Sequence, residues 1–202
     1  RRRLIAGGGT AVGVLAIPDL ARAQLRVDVG RGRVEPMPIA VSPFTADTPG
    51  DRELGGRLAD VVAADLDGSG LFKTVDRAAY IQKPEELRDL PRFADWRQIN
   101  VQALVTGVVR GSAPATTVEF RLWDVFAGTQ LTGVRFEGPQ ALWRRLAHKA
   151  ADAIYERLTG EPGYFDTKIA YVSETGDARS RVKRLAGMDQ DGATHTYLTD
   201  GR

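Results

Sequence analysis

Two apolar stripes at helical spacing most constrain what this chain can fold into. The first, Leu54, Leu58, Val61, Val62 and Leu66, follows the tetrapeptide Thr48-Pro49-Gly50-Asp51. That tetrapeptide reads as a helix start: a threonine N-cap, a proline at the first helical position, and an acid three residues after the cap. Asp67-Gly68-Ser69-Gly70 ends the helix. The second stripe, Leu142, Leu146, Ala150, Ile154 and Leu158, is closed by Gly160. A helix that is apolar along one side must cover something, and a sheet is the surface that two such helices share.

Strand patterns between the stripes supply that sheet. "MPIAVSPF", Met37 to Phe44, reads as a buried strand and "LFKTVD" as a short one. "VQALVTGVV" has the Val/Leu density of a central strand. In "TTVEFRLWDVFAGTQLTGVRFEG", Val118, Phe120 and Leu122 alternate, Ala127-Gly128-Thr129 turns, and Val134 and Phe136 return, which is a hairpin. Lys83 to Leu90 reads as a helical turn or loop, and "RFADWRQIN" as a short helix with Phe93 and Trp96 three apart. The expected fold class is α/β (α+β), with helices on one face of a small mixed sheet, over residues 34–161. After Pro162 the pattern changes. "KIAYVSE", "SRVKRLAGMD" and "TYLTDGR" read as three antiparallel strands, with "DQDGATH" as a turn. Such a sheet has no covering layer and is marginal by itself, a problem that radial packing of blades solves. Residues 162–202 are therefore expected to form an incomplete first blade of a β-propeller.

The N-terminus carries a different signal. "RRRLIAGGGTAVGVLAIPDLARAQ" has three arginines, an apolar run from Leu4 to Ile17, and a small-x-small ending at Ala21-Arg22-Ala23. This is the three-part form of an export signal over residues 1–23, cleaved before Gln24. Its apolar run is short against the roughly 20 residues of a membrane span. A permanent N-terminal anchor is the alternative, and the arginines fit a twin-arginine or a general secretory route. Without this segment's four arginines and one aspartate, the net charge of +2 becomes −1, with 24 basic against 25 acidic residues. A nucleic-acid reading then loses its support.

Chemistry-bearing motifs are few. The absence of cysteine excludes disulfides, thiol catalysis and cysteine-bound zinc. "GGGTAVG" at Gly7–Gly13 has no preceding strand and no Lys-Ser/Thr, so it is no phosphate loop. "DLDGSG", Asp65 to Gly70, and "DQDG", Asp189 to Gly192, fall short of a calcium loop's carboxylates and read as turns. His148 and His195 are the two histidines, one expected on a helix face and the other on a strand surface. "LWRRLAHKAADAIYERL" reads as the solvated side of the last helix, and Trp96, Trp123 and Trp143 as core or interface anchors. No nucleophile elbow or placed Ser/His/Asp set occurs, so neither a catalytic residue nor a cofactor or metal site is assigned.

Leu25, Arg26, Val27, Asp28 and Val29 stand out by alternating apolar and charged residues ahead of Gly30 and Gly32. An extended peptide tethered by glycines can add a strand to a partner's sheet edge. The alternative is an edge strand of the protein's own sheet.

The mature chain resembles the TolB family of the Tol–Pal cell-envelope system. The likeness runs through "LRVDVGRG", "PIAVSPF", "ADLDGSGLFKTVDRAAY", "WRQINVQALVTGVV", "LAHKAADAIYERLTGEPGYFDTKIAYVSETG" and "MDQDG". It implies an α/β N-terminal domain joined to a β-propeller, a periplasmic location in a Gram-negative cell, and a monomer without enzymatic activity or cofactor. It also implies that residues 24–33, with Leu25 to Val29 at their centre, bind TolA. The propeller would bind the lipoprotein Pal and possible other outer-membrane proteins. Gln190 departs from the aromatic residue frequent in the family's blade turn, and an exposed position would tolerate the change. The competing reading is an exported, propeller-bearing serine peptidase with its catalytic domain further along the chain; a downstream Gly-x-Ser-x-Gly would mark it.

Overall fold

The computed structural model describes residues 35–112, 114–177 and 180–201. The expected export signal and the segment Leu25 to Val29 lie outside the described residues.

The two helical stripes do lie on a sheet. Its five strands run in the order β2-β1-β3-β4-β5. They are β1 (Met37–Val41), β2 (Phe72–Thr74), β3 (Ala103–Ser112), β4 (Ala115–Asp124) and β5 (Thr129–Pro139). β1 is parallel to both β2 and β3, whereas β4 is antiparallel to its two neighbours. Parallel neighbours need a crossover between them, and helix α1 (Pro49–Gly68) provides it from β1 to β2. The Thr48 side chain accepts the Asp51 N–H at 3.1 Å, so the N-cap read from sequence is formed. Helix α3 (Trp143–Thr159) follows β5 and ends at Gly160, which takes the left-handed C-cap conformation with φ of +83°. Leu142 departs from the expected stripe: it precedes α3 and is 49% exposed.

Alternation along the strands builds two cores. Ile39, Val41, Ala103, Val105, Val118, Phe120 and Leu122 face α1 and α3. Ala40, Leu104 and Trp123 face the other way, onto Leu87, Trp96, Val101 and Val125. Helices on one face is therefore only part of the arrangement. The long helices take one face, while the short α2 (Phe93–Gln98) and the 3-10 turn Pro84–Leu87 cover the other. The reason is that β1 and β3 carry apolar residues at both parities, so neither face can be left wet. Two buried indoles are satisfied there, Trp96 donating to Gln82 Oε1 at 2.9 Å and Trp123 to Thr106 Oγ1 at 3.0 Å. Trp143 instead lies half-buried, with the Arg57 and Arg144 guanidinium groups 4.9 and 5.5 Å from its ring.

Phe44 explains two glycines inside regular structure. A Cβ on Gly107, in β3, would lie 2.7 Å from the Phe44 ring. A Cβ on Gly55, in α1, would lie 2.1 Å from the Phe44 carbonyl oxygen. Helix and strand close on the β1–α1 loop only because both side chains are missing.

The second sheet is antiparallel, ordered β6-β7-β8, from β6 (Lys168–Thr175), β7 (Val182–Asp189) and β8 (Thr196–Tyr197). β8 is shorter than the run "TYLTDGR" suggested. Ala186 is buried, while Val172, Leu185, Tyr197 and Leu198 are exposed. The segment between α3 and β6 is held down firmly. Asp152 on α3 accepts the Phe165 and Asp166 amides at 2.7 and 3.2 Å. Phe165 is buried against Tyr155 with Tyr164 beside it. Gly163 fits against Asp152, where a Cβ would come within 2.4 Å of the helix backbone.

Two outcomes follow for stability. Gly107→Ala should cost about 1–3 kcal/mol by overpacking against Phe44, whereas Gly56→Ala, with nothing within 4 Å of the added methyl, should stabilise α1 by about 0.5–1 kcal/mol. Thermal denaturation of both variants checks the pair, and equal Tm values would refute the steric account. Asp152→Ala orphans two amides and should cost about 1–3 kcal/mol, with faster hydrogen exchange at Phe165 and Asp166.

Candidate functional site at the junction of the two sheets

Where the β7–β8 turn meets α1 and α3, five polar side chains from these three elements converge. Asp65 occupies the stripe of α1, seven residues after Leu58, and is only 3% exposed. His148 sits on α3 three residues before buried Ala151 and is 2% exposed. Both helices lie on one sheet face, which brings these two polar residues together inside the apolar layer. The His148 Nδ1–H donates to Asp65 Oδ2 at 2.7 Å. The other Asp65 oxygen accepts from Gln190 Nε2 at 3.1 Å. Asp191, next along the turn, is paired with Arg144 of α3 and also accepts the Ala193 amide at 3.0 Å. His148 Nε2 is buried without a hydrogen-bond partner among the described residues, 3.8 Å from Asp191 Oδ2.

The electrostatics follow from burial and these neighbours. Burial lifts the Asp65 carboxyl above the ordinary aspartate range, against the opposing hydrogen bond and charge of His148. For His148, burial is the largest single influence and favours the neutral ring. The hydrogen bond and charge of Asp65, with the charge of Asp191, outweigh it, and the imidazole titrates above its ordinary value.

A metal is the first alternative to test here. Asp65, His148 and Asp191 each offer a ligand atom within 4.8 Å of the others. The donor set does not fit a divalent cation. Both Asp65 oxygens are committed, to His148 and Gln190, and the Arg144 guanidinium already holds Asp191.

Several sequence expectations change at this junction. His148 lies inside the protein rather than on the solvated side of α3. Gln190 is half-buried and bonded to Asp65, so the surface-tolerance explanation for it is wrong. Asp65 and Asp191, read as members of two unrelated turns, meet across the junction. Their companions do hold turns, Asp67 accepting the Thr74 amide at 2.8 Å and Asp189 accepting the Thr194 hydroxyl. His195 stays on the surface, beside Tyr171 and Tyr197. One signal for the site was present in the sequence: an aspartate in phase with an apolar helical stripe marks a buried polar group that needs a partner. No helix among the described residues is long and apolar enough to cross a membrane.

Comparison with known proteins extends the reading. Residues 25–131 match the TolB amino-terminal domain family. A curated relative, the Tol-Pal system protein TolB of Paramagnetospirillum magneticum, is 49% identical over 191 residues, covering 94% of this chain and 42% of its own length. The crystal structure of TolB from Acinetobacter baumannii aligns with a TM-score of 0.67 at 27% identity, over 82% of this chain and 39% of that one. The chain thus spans less than half the length of the relatives it matches. On the sequence match and the shared architecture together, the chain belongs to the TolB family of Tol–Pal system proteins, a family that is not one of enzymes.

Proposed function

We propose that this chain is the N-terminal part of a non-enzymatic periplasmic adaptor. It links the inner-membrane TolA complex to the outer-membrane lipoprotein Pal, for envelope integrity and for constriction of the outer membrane at division. The observation that carries this reading is the near-complete alignment of the chain with a Tol-Pal system protein at 49% identity. The family match beginning at Leu25 supports a role for the adjoining segment. In this reading Leu25, Arg26, Val27, Asp28 and Val29 form the TolA-binding peptide, which adds a strand to its partner. The sheet β6-β7-β8 is the first blade of a β-propeller, and its exposed Val172, Leu185, Tyr197 and Leu198 suit a surface built to be covered. Residues 1–23 are an export signal read by the Tat or the Sec route. The peptide switches between docked and released states, so that one partner's binding shifts the population competent for the other. That coupling can be no larger than the difference in each partner's affinity for the two states.

The peptide's role has a direct test. Deleting residues 25–29 from the full mature protein should abolish TolA binding in isothermal titration while leaving the far-UV circular dichroism spectrum unchanged. Unchanged affinity in the deletion variant would sink the assignment.

A further inference from the structure

We propose that His148 is a protonation-dependent clamp that fastens the β7–β8 turn, and with it the second sheet, to the α1–α3 layer. The argument begins with an asymmetry between the two ring nitrogens. Nδ1–H is already committed to Asp65 at 2.7 Å. Nε2 is buried, has no hydrogen-bond partner among the described residues, and lies 3.8 Å from the Asp191 carboxylate. In the neutral ring, Nε2 presents a lone pair toward a carboxylate, and the contact is repulsive. Proton uptake turns the same atom into a charged donor aimed at an acceptor, and a small closing movement completes the bond. The ring then joins three elements, with Asp65 on α1, His148 on α3 and Asp191 on the turn.

The surrounding charges favour that state. Asp65 faces the ring from α1; Arg144 and, more remotely, Asp152 lie on α3; Asp189 and Asp191 come from the turn. Lys168 of β6 neutralises Asp189, and Tyr164 from the connecting segment is close enough to Asp65 to feel its charge. With Arg144 paired to Asp191, a neutral His148 leaves the Asp65 charge uncompensated inside the protein, and a protonated one balances it.

The sign follows from the raised value of His148. Its contribution is complete below the unfolded histidine value of about 6.5 and is lost as pH rises through the higher folded value. The elevated carboxyl of Asp65 acts with the same sign. Asp189, held low by Thr194 and Lys168 despite burial, acts with the opposite sign and in the acid range. The clamp therefore closes below the ordinary histidine value and loosens as pH rises through the higher folded one. This rests on the geometry of the junction and not on the identity of any partner.

Hydrogen exchange of the full mature protein, corrected for the intrinsic pH dependence, tests it. Protection at Gln190, Gly192 and Ala193 should fall about tenfold between pH 5.5 and 8.5, the scale of one charge-assisted hydrogen bond. His148→Gln should abolish that dependence. Should His148→Gln not fold, Asp191→Ala on the exposed turn, which removes the acceptor, should abolish it too, with an unchanged far-UV spectrum. Flat protection in the unaltered protein, or a pH dependence retained in Asp191→Ala, would overturn the clamp. So would protection that rises on adding zinc, which would show the cluster to be a metal site.

Discussion

The structure depends on the burial of β1 and β3 on both faces. These strands lie in the interior of the five-stranded sheet and carry Ile39, Val41, Ala103 and Val105 toward one side, Ala40 and Leu104 toward the other. Each face must be covered, and the chain covers them unequally. Two long helices take the first, where stripes of leucine and valine meet a broad apolar surface. A six-residue helix and a 3-10 turn take the second, anchored by one large indole whose N–H finds Gln82. The close fit on the helical side shows at Phe44, where a ring and a carbonyl occupy the space that two side chains would need.

The same layer that supplies the core also positions the polar junction. Asp65 and His148 sit within apolar stripes, and a charge there is tolerated only when paired and hydrogen-bonded. Their mutual bond meets half of that need, and the β7–β8 turn meets the rest through Gln190 and Asp191. Attachment of the second sheet is thus partly polar and specific, against the apolar anchoring of Phe165 a few residues earlier. A junction built this way responds to protonation, whereas a purely apolar one does not.

Much of the fold was legible in the residues themselves. Thr48 and Pro49 announced the start of α1, Gly160 the end of α3, and alternation around Ala127-Gly128-Thr129 the β4–β5 hairpin; local chemistry decides such features within a few bonds. Less was legible where contacts run across the chain. Leu142 matched the helical period and still fell outside α3, in the 3-10 turn Gln140–Leu142 that leads into it. Gln190 looked like a surface substitution, since its partner Asp65 is 125 residues away. His148 followed Arg144 and Arg145 and preceded Lys149, so its local company suggested solvent.

By itself the sequence determined the order of helices and strands, their caps and turns, the absence of thiol chemistry, and membership of the TolB family. The elements, their caps and the chemistry excluded follow from periodicity, composition and short-range hydrogen bonding, and the family from likeness to known sequences. Tertiary structure alone decided that the sheet is covered on both sides, that Gly55 and Gly107 are made necessary by Phe44, and that an aspartate of α1 and one of the β7–β8 turn meet at one histidine. Which polar groups end up buried together depends on how elements pack in three dimensions, and low-dielectric surroundings then set their protonation.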